Sequence, residues 1–110
     1  MKPDIIWSKD AGDELTEIIN YIKYNAGKIT AEKIYKKIVN EISKASGNAG
    51  GRRISPLLKE FGRYDIHQIN INPWIIYYKI SGNKMEIISI MDGRRNLEEI
   101  LYKKIMDGKL

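Results

Sequence analysis

The sequence predicts an α+β domain, a helical hairpin packed on a small, mainly antiparallel β-sheet in the order β-α-α-β-β-β-α. Three observations carry that expectation. Apolar residues recur at helical spacing along two early segments, 11–22 and 31–45. Trp74, Ile76, Tyr78 and Ile80 alternate with period two, and Ser81-Gly82-Asn83 follows as a hairpin turn. A helix with its own start signal closes the chain from Leu97. The 110 residues fit a single domain spanning 1–110, and 43% apolar residues can fill one core.

Each element has its own local cause. Ile5-Ile6-Trp7 reads as a short edge or pairing strand of the same sheet. Ser8 then caps a helix, and Asp10, Asp13 and Glu14 place negative charge where the helix dipole is positive. Ala11, Leu15, Ile18, Ile19 and Ile22 form its apolar stripe, and Gly27 suits a left-handed stop. A second helix is expected from Thr30, with Ala31, Ile34, Tyr35, Ile38, Ile42 and Ala45 as its stripe. Lys33, Lys36, Lys37 and Lys44 lie largely outside that stripe, and Gly47 ends the helix. The pair reads as an antiparallel hairpin. After a Gly-rich connection, Leu57, Leu58 and Phe61 are expected to be buried, without an assigned geometry. Three strands follow, expected over Tyr64–Ile71, Trp74–Ile80 and Met85–Met91. His67, Ile69 and Ile71 share one face of the first. Short turns make the three an antiparallel meander. Asn96 caps the last helix, and Glu99 completes a capping-box-like pattern. The helices are expected on one face of the sheet.

Composition narrows the function. Nineteen Lys+Arg against fourteen Asp+Glu give a net charge of +5. That balance suits an anionic partner, whether nucleic acid, acidic protein or anionic lipid surface. The plainer reading is a basic face that aids solubility. With no cysteine, disulfides, thiol nucleophiles and thiolate metal sites are excluded. A single histidine excludes a multi-histidine metal site, so neither metal nor cofactor is expected. Met1-Lys2-Pro3-Asp4 precedes no signal-peptide-like apolar region, and no apolar run approaches membrane-spanning length. The expected location is the cytoplasm, without a membrane partner.

Asp92-Gly93-Arg94-Arg95-Asn96 is the most informative segment. Two arginines just before a helix meet an end that is already partly positive. A site that tolerates this repulsion can hold an anion with guanidinium forks and helix N–H groups. A solvated turn, with Asp92 paired to an arginine, accounts for the same residues. Arg52, Arg53, Lys59 and Arg63 form a second basic stretch. If the sheet brings Arg63 near Arg94 and Arg95, one concave basic patch results, suited to a phosphate backbone. His67 is the one residue of the type suited to proton transfer near neutral pH, yet a lone histidine beside Ile69 and Ile71 also reads as a hydrogen-bonded structural residue. Trp74, Tyr64, Tyr77 and Tyr78 are either base-stacking platforms or core and partner-contact residues. Paired carboxylates, a Ser/His/Asp order and a phosphate-binding Gly-rich loop are all missing, which disfavours carboxylate-driven hydrolysis and nucleotide binding.

These residues carry a resemblance. Trp7-Ser8 followed by Ala11, Leu15, Ile18, Tyr21 and Ile22 resembles the opening of RelE/ParE-type toxins, the growth-inhibiting partners in type II toxin–antitoxin and plasmid-stabilisation systems. Ala31–Ile42 is similar to their second helix. Pro73-Trp74-Ile75-Ile76-Tyr77-Tyr78-Lys79-Ile80 resembles a strand of that family. Met85–Met91 with Asp92-Gly93-Arg94-Arg95-Asn96-Leu97-Glu98-Glu99-Ile100-Leu101 resembles its ending. The resemblance implies a helical hairpin on a small antiparallel sheet and a cognate antitoxin, joined in a toxin–antitoxin hetero-oligomer. For the RNA-cleaving members it implies Lys and Arg on the scissile phosphate and a Tyr or His moving the proton. The candidates here are Arg94, Arg95, His67 and Tyr102, with Arg52, Arg53 and Arg63 as further target-binding cations. Relatives often carry Arg-Glu at His67-Gln68 and Arg at Ile75. Their tyrosine position falls on Leu101, and Tyr102 is rotated from it by about 100°. The incomplete site favours the ParE-like branch, which inhibits DNA gyrase without cleaving RNA. The alternatives are a ribosome-dependent mRNA endoribonuclease (an mRNA interferase) and a weakened or inactive family member.

Overall fold

Four strands form one sheet in the order β1-β4-β3-β2, with β1 at Asp4–Trp7, β2 at His67–Ile71, β3 at Trp74–Ser81 and β4 at Lys84–Asp92. The computed structural model describes residues 2–110, so Met1 lies outside the description. Strands β2, β3 and β4 are the expected antiparallel meander, from His67↔Tyr78 through Trp74↔Asp92. β1 runs parallel to β4, from Asp4↔Lys84 to Trp7↔Ile87. A parallel neighbour needs a crossover, and the helical hairpin with β2 and β3 supplies it.

Helix α1 spans Lys9–Ala26 and helix α2 spans Lys28–Ser46. The Ser8 hydroxyl accepts from the Ala11 N–H at 3.1 Å, which satisfies one of the donors that a helix start leaves open. Gly27, at φ +92°, is the only residue between the helices. α2 therefore begins two residues before the expected Thr30, because the hairpin needs no longer loop.

The sheet is covered on both faces, which corrects the expected single helical layer. On one face α1 and α2 bury Ala11, Ile38, Ile42 and Ala45 against Ile69, Ile76, Tyr78, Met85, Ile87 and Ile90. On the other, Leu58 and Leu101 pack with Ile66, Tyr77, Ile88 and Met91. Leu58 lies in α3 (Pro56–Glu60) and Leu101 in α4 (Leu97–Met106). α3 is the unassigned Leu57/Leu58 segment. Ser55 caps it through the Leu58 N–H, and Pro56 begins it. A β-bulge at Tyr77/Tyr78 leaves Ile88 unpaired between Ile87 and Ser89. The extra residue shifts the phase, so Ile87 and Ile90 reach the same cluster although three positions apart.

Strand β2 starts at His67, three residues later than expected. The preceding backbone is held otherwise: Arg63 makes two bonds to Asp65, both at 3.0 Å, and the Ser55 N–H donates to the Ile66 carbonyl.

Glu14 has a larger role than a helix-start charge. β1 ends opposite Ile87, which leaves the next stretch of the β4 edge open. The Glu14 carboxylate fills that gap. It accepts from the Ser89 hydroxyl at 3.0 Å and from the Ile90 N–H at 3.3 Å, and it pairs with Lys104 of α4 at 3.4 Å. Ser89 is fully buried, so without Glu14 its hydroxyl loses its acceptor. Glu14→Ala is expected to cost about 1–3 kcal/mol. Denaturant unfolding checks this, and an unshifted midpoint would show that the carboxylate is dispensable.

Candidate functional site

Residues 93–96 join β4 to α4, and Gly93 fixes their path. Its N–H donates to the Pro73 carbonyl at 2.7 Å. A Cβ on Gly93 would stand 3.2 Å from that oxygen and 3.1 Å from Ile75 Cδ1. Glycine spares the Pro73 carbonyl and the Ile75 side chain the few tenths of an ångström by which a Cβ would push them. Gly93→Ala should destabilise by about 1–3 kcal/mol through this crowding. A variant that unfolds at the wild-type midpoint would contradict the argument.

Asp92 organises the first arginine. Its carboxylate accepts from the Arg94 N–H at 2.8 Å and from Arg94 Nε at 2.9 Å, and it also meets Nη2. These bonds from the Arg94 side chain and backbone hold the Asp92 carboxyl down to about 2. The folded value lies below the ordinary one. Asp92 therefore contributes stability above the ordinary carboxylate range, and that contribution is lost as pH falls through about 2. Melts of wild type and Asp92→Asn should accordingly converge between about pH 4 and pH 2. A constant gap across that window would refute the coupling.

Arg94 remains 77% exposed despite this pair. Arg95 is also exposed, and its side chain makes no hydrogen bond or ion pair among the described residues. The Asn96 side chain accepts from the Glu99 N–H, the cap that the sequence predicts, but Glu99 Oε2 accepts from the Asn96 side-chain amide and not from its backbone N–H as in a capping box.

Arg94 and Trp74 stand between two hollows. One is lined by Arg53, Gln68, Asn70, Asn72, Pro73, Ile75 and Gly93. The other is lined by Glu17, Ile18, Tyr21, Ile22, Asp92 and Arg95. Arg53 thus shares one hollow with Arg94, and Arg95 shares the other with it. Nothing in the sequence joined Gln68, Asn70 and Asn72 to the first of these hollows. Their only signal is a run of carboxamides at the turn between two apolar strands.

The other candidates lie elsewhere. Arg63 binds Asp65 and donates to the Leu110 carbonyl, tying down the chain end. Asp65 feels the charge of Lys79, at the far end of β3 from Trp74. Five residues of strand amount to roughly 17 Å, so Arg63 does not join Arg94 and Arg95 in one patch. Arg52 is exposed, and its carbonyl lies 2.9 Å from His67 Nδ1. The His67 ring stacks on Tyr78, with centroids 5.1 Å apart. Tyr78 donates its hydroxyl to the Ala49 carbonyl, and burial pushes its pKa up to about 12. His67 is therefore held on the hairpin side of the sheet. Tyr102 packs on Phe61 at 6.0 Å and lines a hollow with Asn96, Glu98 and Glu99 on the opposite side. Tyr77 is core, with its pKa also pushed to about 12 by burial.

The chain is a hairpin-on-sheet α+β domain of the RelE/ParE-like fold, with an exposed arginine pair at the β4–α4 corner. A model of the ParE toxin of the type II toxin–antitoxin system parDE matches residues 5–97, and the chain belongs to that family. A solved structure of the chromosomal ParDE toxin–antitoxin system from P. aeruginosa has a chain of the same fold. The two superpose with a TM-score of 0.70 at 17% identity, over 83% of this chain and 96% of that one. No curated protein matches by sequence.

Proposed function

We propose that the protein is a toxin that inhibits growth by gripping an essential target, DNA gyrase, without chemistry of its own. A cognate antitoxin neutralises it in the cytoplasm. The observation that carries this reading is the dispersal of the proton-transfer candidates. His67 and Tyr102 sit on opposite sides of the sheet, and neither lines a hollow with Arg94 or Arg95. General acid–base cleavage needs those groups within hydrogen-bond reach of one reacting phosphate, whereas binding needs only the exposed cations.

The helical hairpin supports the antitoxin half of the proposal. Tyr21, Tyr24, Ile29 and Tyr35 are exposed around its far end, Tyr24 at 91%. Lys23, Lys28 and Lys36 border the groove there. Clustered exposed apolar side chains mark interaction surfaces. No helix among the described residues is long and apolar enough to cross a membrane.

The test is expression of the chain alone and together with the small gene beside it. Growth arrest by the first, relief by the second and co-purification of the two products are expected. A translation extract treated with the purified protein should show no codon-linked mRNA cuts. Such cuts, or failure of the neighbour to relieve arrest, would sink the reading.

A further inference from the structure

We infer that the slot between helix α1 and the β4–α4 corner receives a segment of the protein target that presents an apolar side chain beside a carboxylate. The inference rests on the reading of the arginine corner as the grip on that target, and it names what the grip holds. The slot holds about 420 Å³, within the range of about 300–1,000 Å³ usual for ligand sites.

Its lining divides into two kinds of group. Ile18 and Trp74 pack on the hairpin core, and Ile22 lies one helical turn beyond Ile18. All three are half-buried, so the chain itself leaves part of each in solvent. The other kind is cationic. Arg94 and Arg95 are both exposed, and the Arg95 side chain makes no hydrogen bond or ion pair among the described residues. Asp92 takes Nε and Nη2 of Arg94, which leaves Nη1 as a donor on a side chain already held in place. Glu17, also in the lining, is exposed and has no cationic partner among the described residues. It repels an incoming carboxylate and so steers it to the arginines.

These groups select the class of ligand. A phosphate backbone would use the cations and leave the isoleucines and the indole in water. A purely apolar segment would cover those side chains but desolvate two guanidinium groups without pairing them. An apolar side chain next to an Asp or Glu satisfies both kinds of group at once.

The experiment is an NMR titration of the whole chain with N-acetyl-Leu-Glu-amide, read at the Trp74 indole N–H, the Ile18 and Ile22 methyl groups and the Arg95 Nε–H. Two control peptides change one group each: the Leu-Gln peptide lacks the charge, and the Ser-Glu peptide lacks the apolar side chain. Saturable shifts at all of these groups are expected with Leu-Glu, and each control should bind about threefold more weakly. Arg95→Gln should weaken the Leu-Glu peptide by about threefold and leave the Leu-Gln peptide unaffected, whereas Glu17→Gln should tighten Leu-Glu by about twofold. Absence of saturable shifts at millimolar peptide would overturn the inference. So would equal affinity for the three peptides, shifts confined to the hairpin groove around Tyr35, or an Arg95→Gln protein that binds Leu-Glu as wild type does. The slot and the target fail separately. Peptide binding as expected without gyrase inhibition counts only against gyrase as the target, and gyrase inhibition undiminished in a folded Ile22→Ser variant counts only against the slot.

Discussion

Ile76→Ala is expected to remove about 2–5 kcal/mol of folding stability. Ile76 lies at the centre of β3, paired with Ile69 on one side and Ile90 on the other. It is fully buried against the helical hairpin. Removing its outer carbons leaves a space that β2 and β4 cannot close without breaking register, because a one-residue slip exchanges the two faces. β4 is buried on both faces and has no spare side, and a slip of β2 would turn its polar residues Gln68 and Asn70 into the core. Urea unfolding of the two proteins measures the loss. A midpoint equal to that of the wild type would place Ile76 outside the core.

The second large effect concerns toxicity rather than stability. Arg94→Gln/Arg95→Gln should leave the fold intact and reduce growth inhibition sharply. Both side chains are exposed. Arg94 is tied only to Asp92, and Arg95 has no partner among the described residues. Two cations ahead of a capped helix repel its positive end, which opposes the stability gained from the exposed Arg94–Asp92 pair, so the net effect on the melt should be small. Glutamine retains length and hydrogen-bonding capacity while removing the charge. Growth curves paired with a thermal melt separate the effects. A folded double variant with undiminished toxicity would reduce the segment to a solvated turn.

The pattern of residues made most of the fold legible. The alternation of Trp74, Ile76 and Tyr78, the stripes of α1 and α2, and the caps at Ser8 and Asn96 are local signals, and the structure repeats them. Long-range features were not legible in this way. α3 is five residues long, too short to show a period. The bulge at Tyr77/Tyr78 depends on how two strands meet. Glu14 resembles any acid near a helix start until β1 is seen to end at Trp7 and expose the β4 edge. The same holds for the site. Arg94 and Arg95 stand out through their electrostatic misplacement. The joining of Arg53 with Arg94, and the separation of Arg63, His67 and Tyr102, depend on strand order and register. Gly93 matches a family pattern in sequence, but its physical reason is the Pro73 carbonyl, twenty residues away.

On the proposed function, this protein inhibits by binding through its arginine corner and needs no proton-transfer group. A DNA gyrase supercoiling assay with purified wild type, Arg94→Gln/Arg95→Gln, His67→Ala and Tyr102→Phe tests it most directly. Wild type should block supercoiling and the arginine variant should not. The His67 and Tyr102 variants should inhibit as wild type does, provided their melts show them folded. Undisturbed supercoiling at every wild-type concentration, together with mRNA cleavage that His67→Ala or Tyr102→Phe abolishes, would contradict the account.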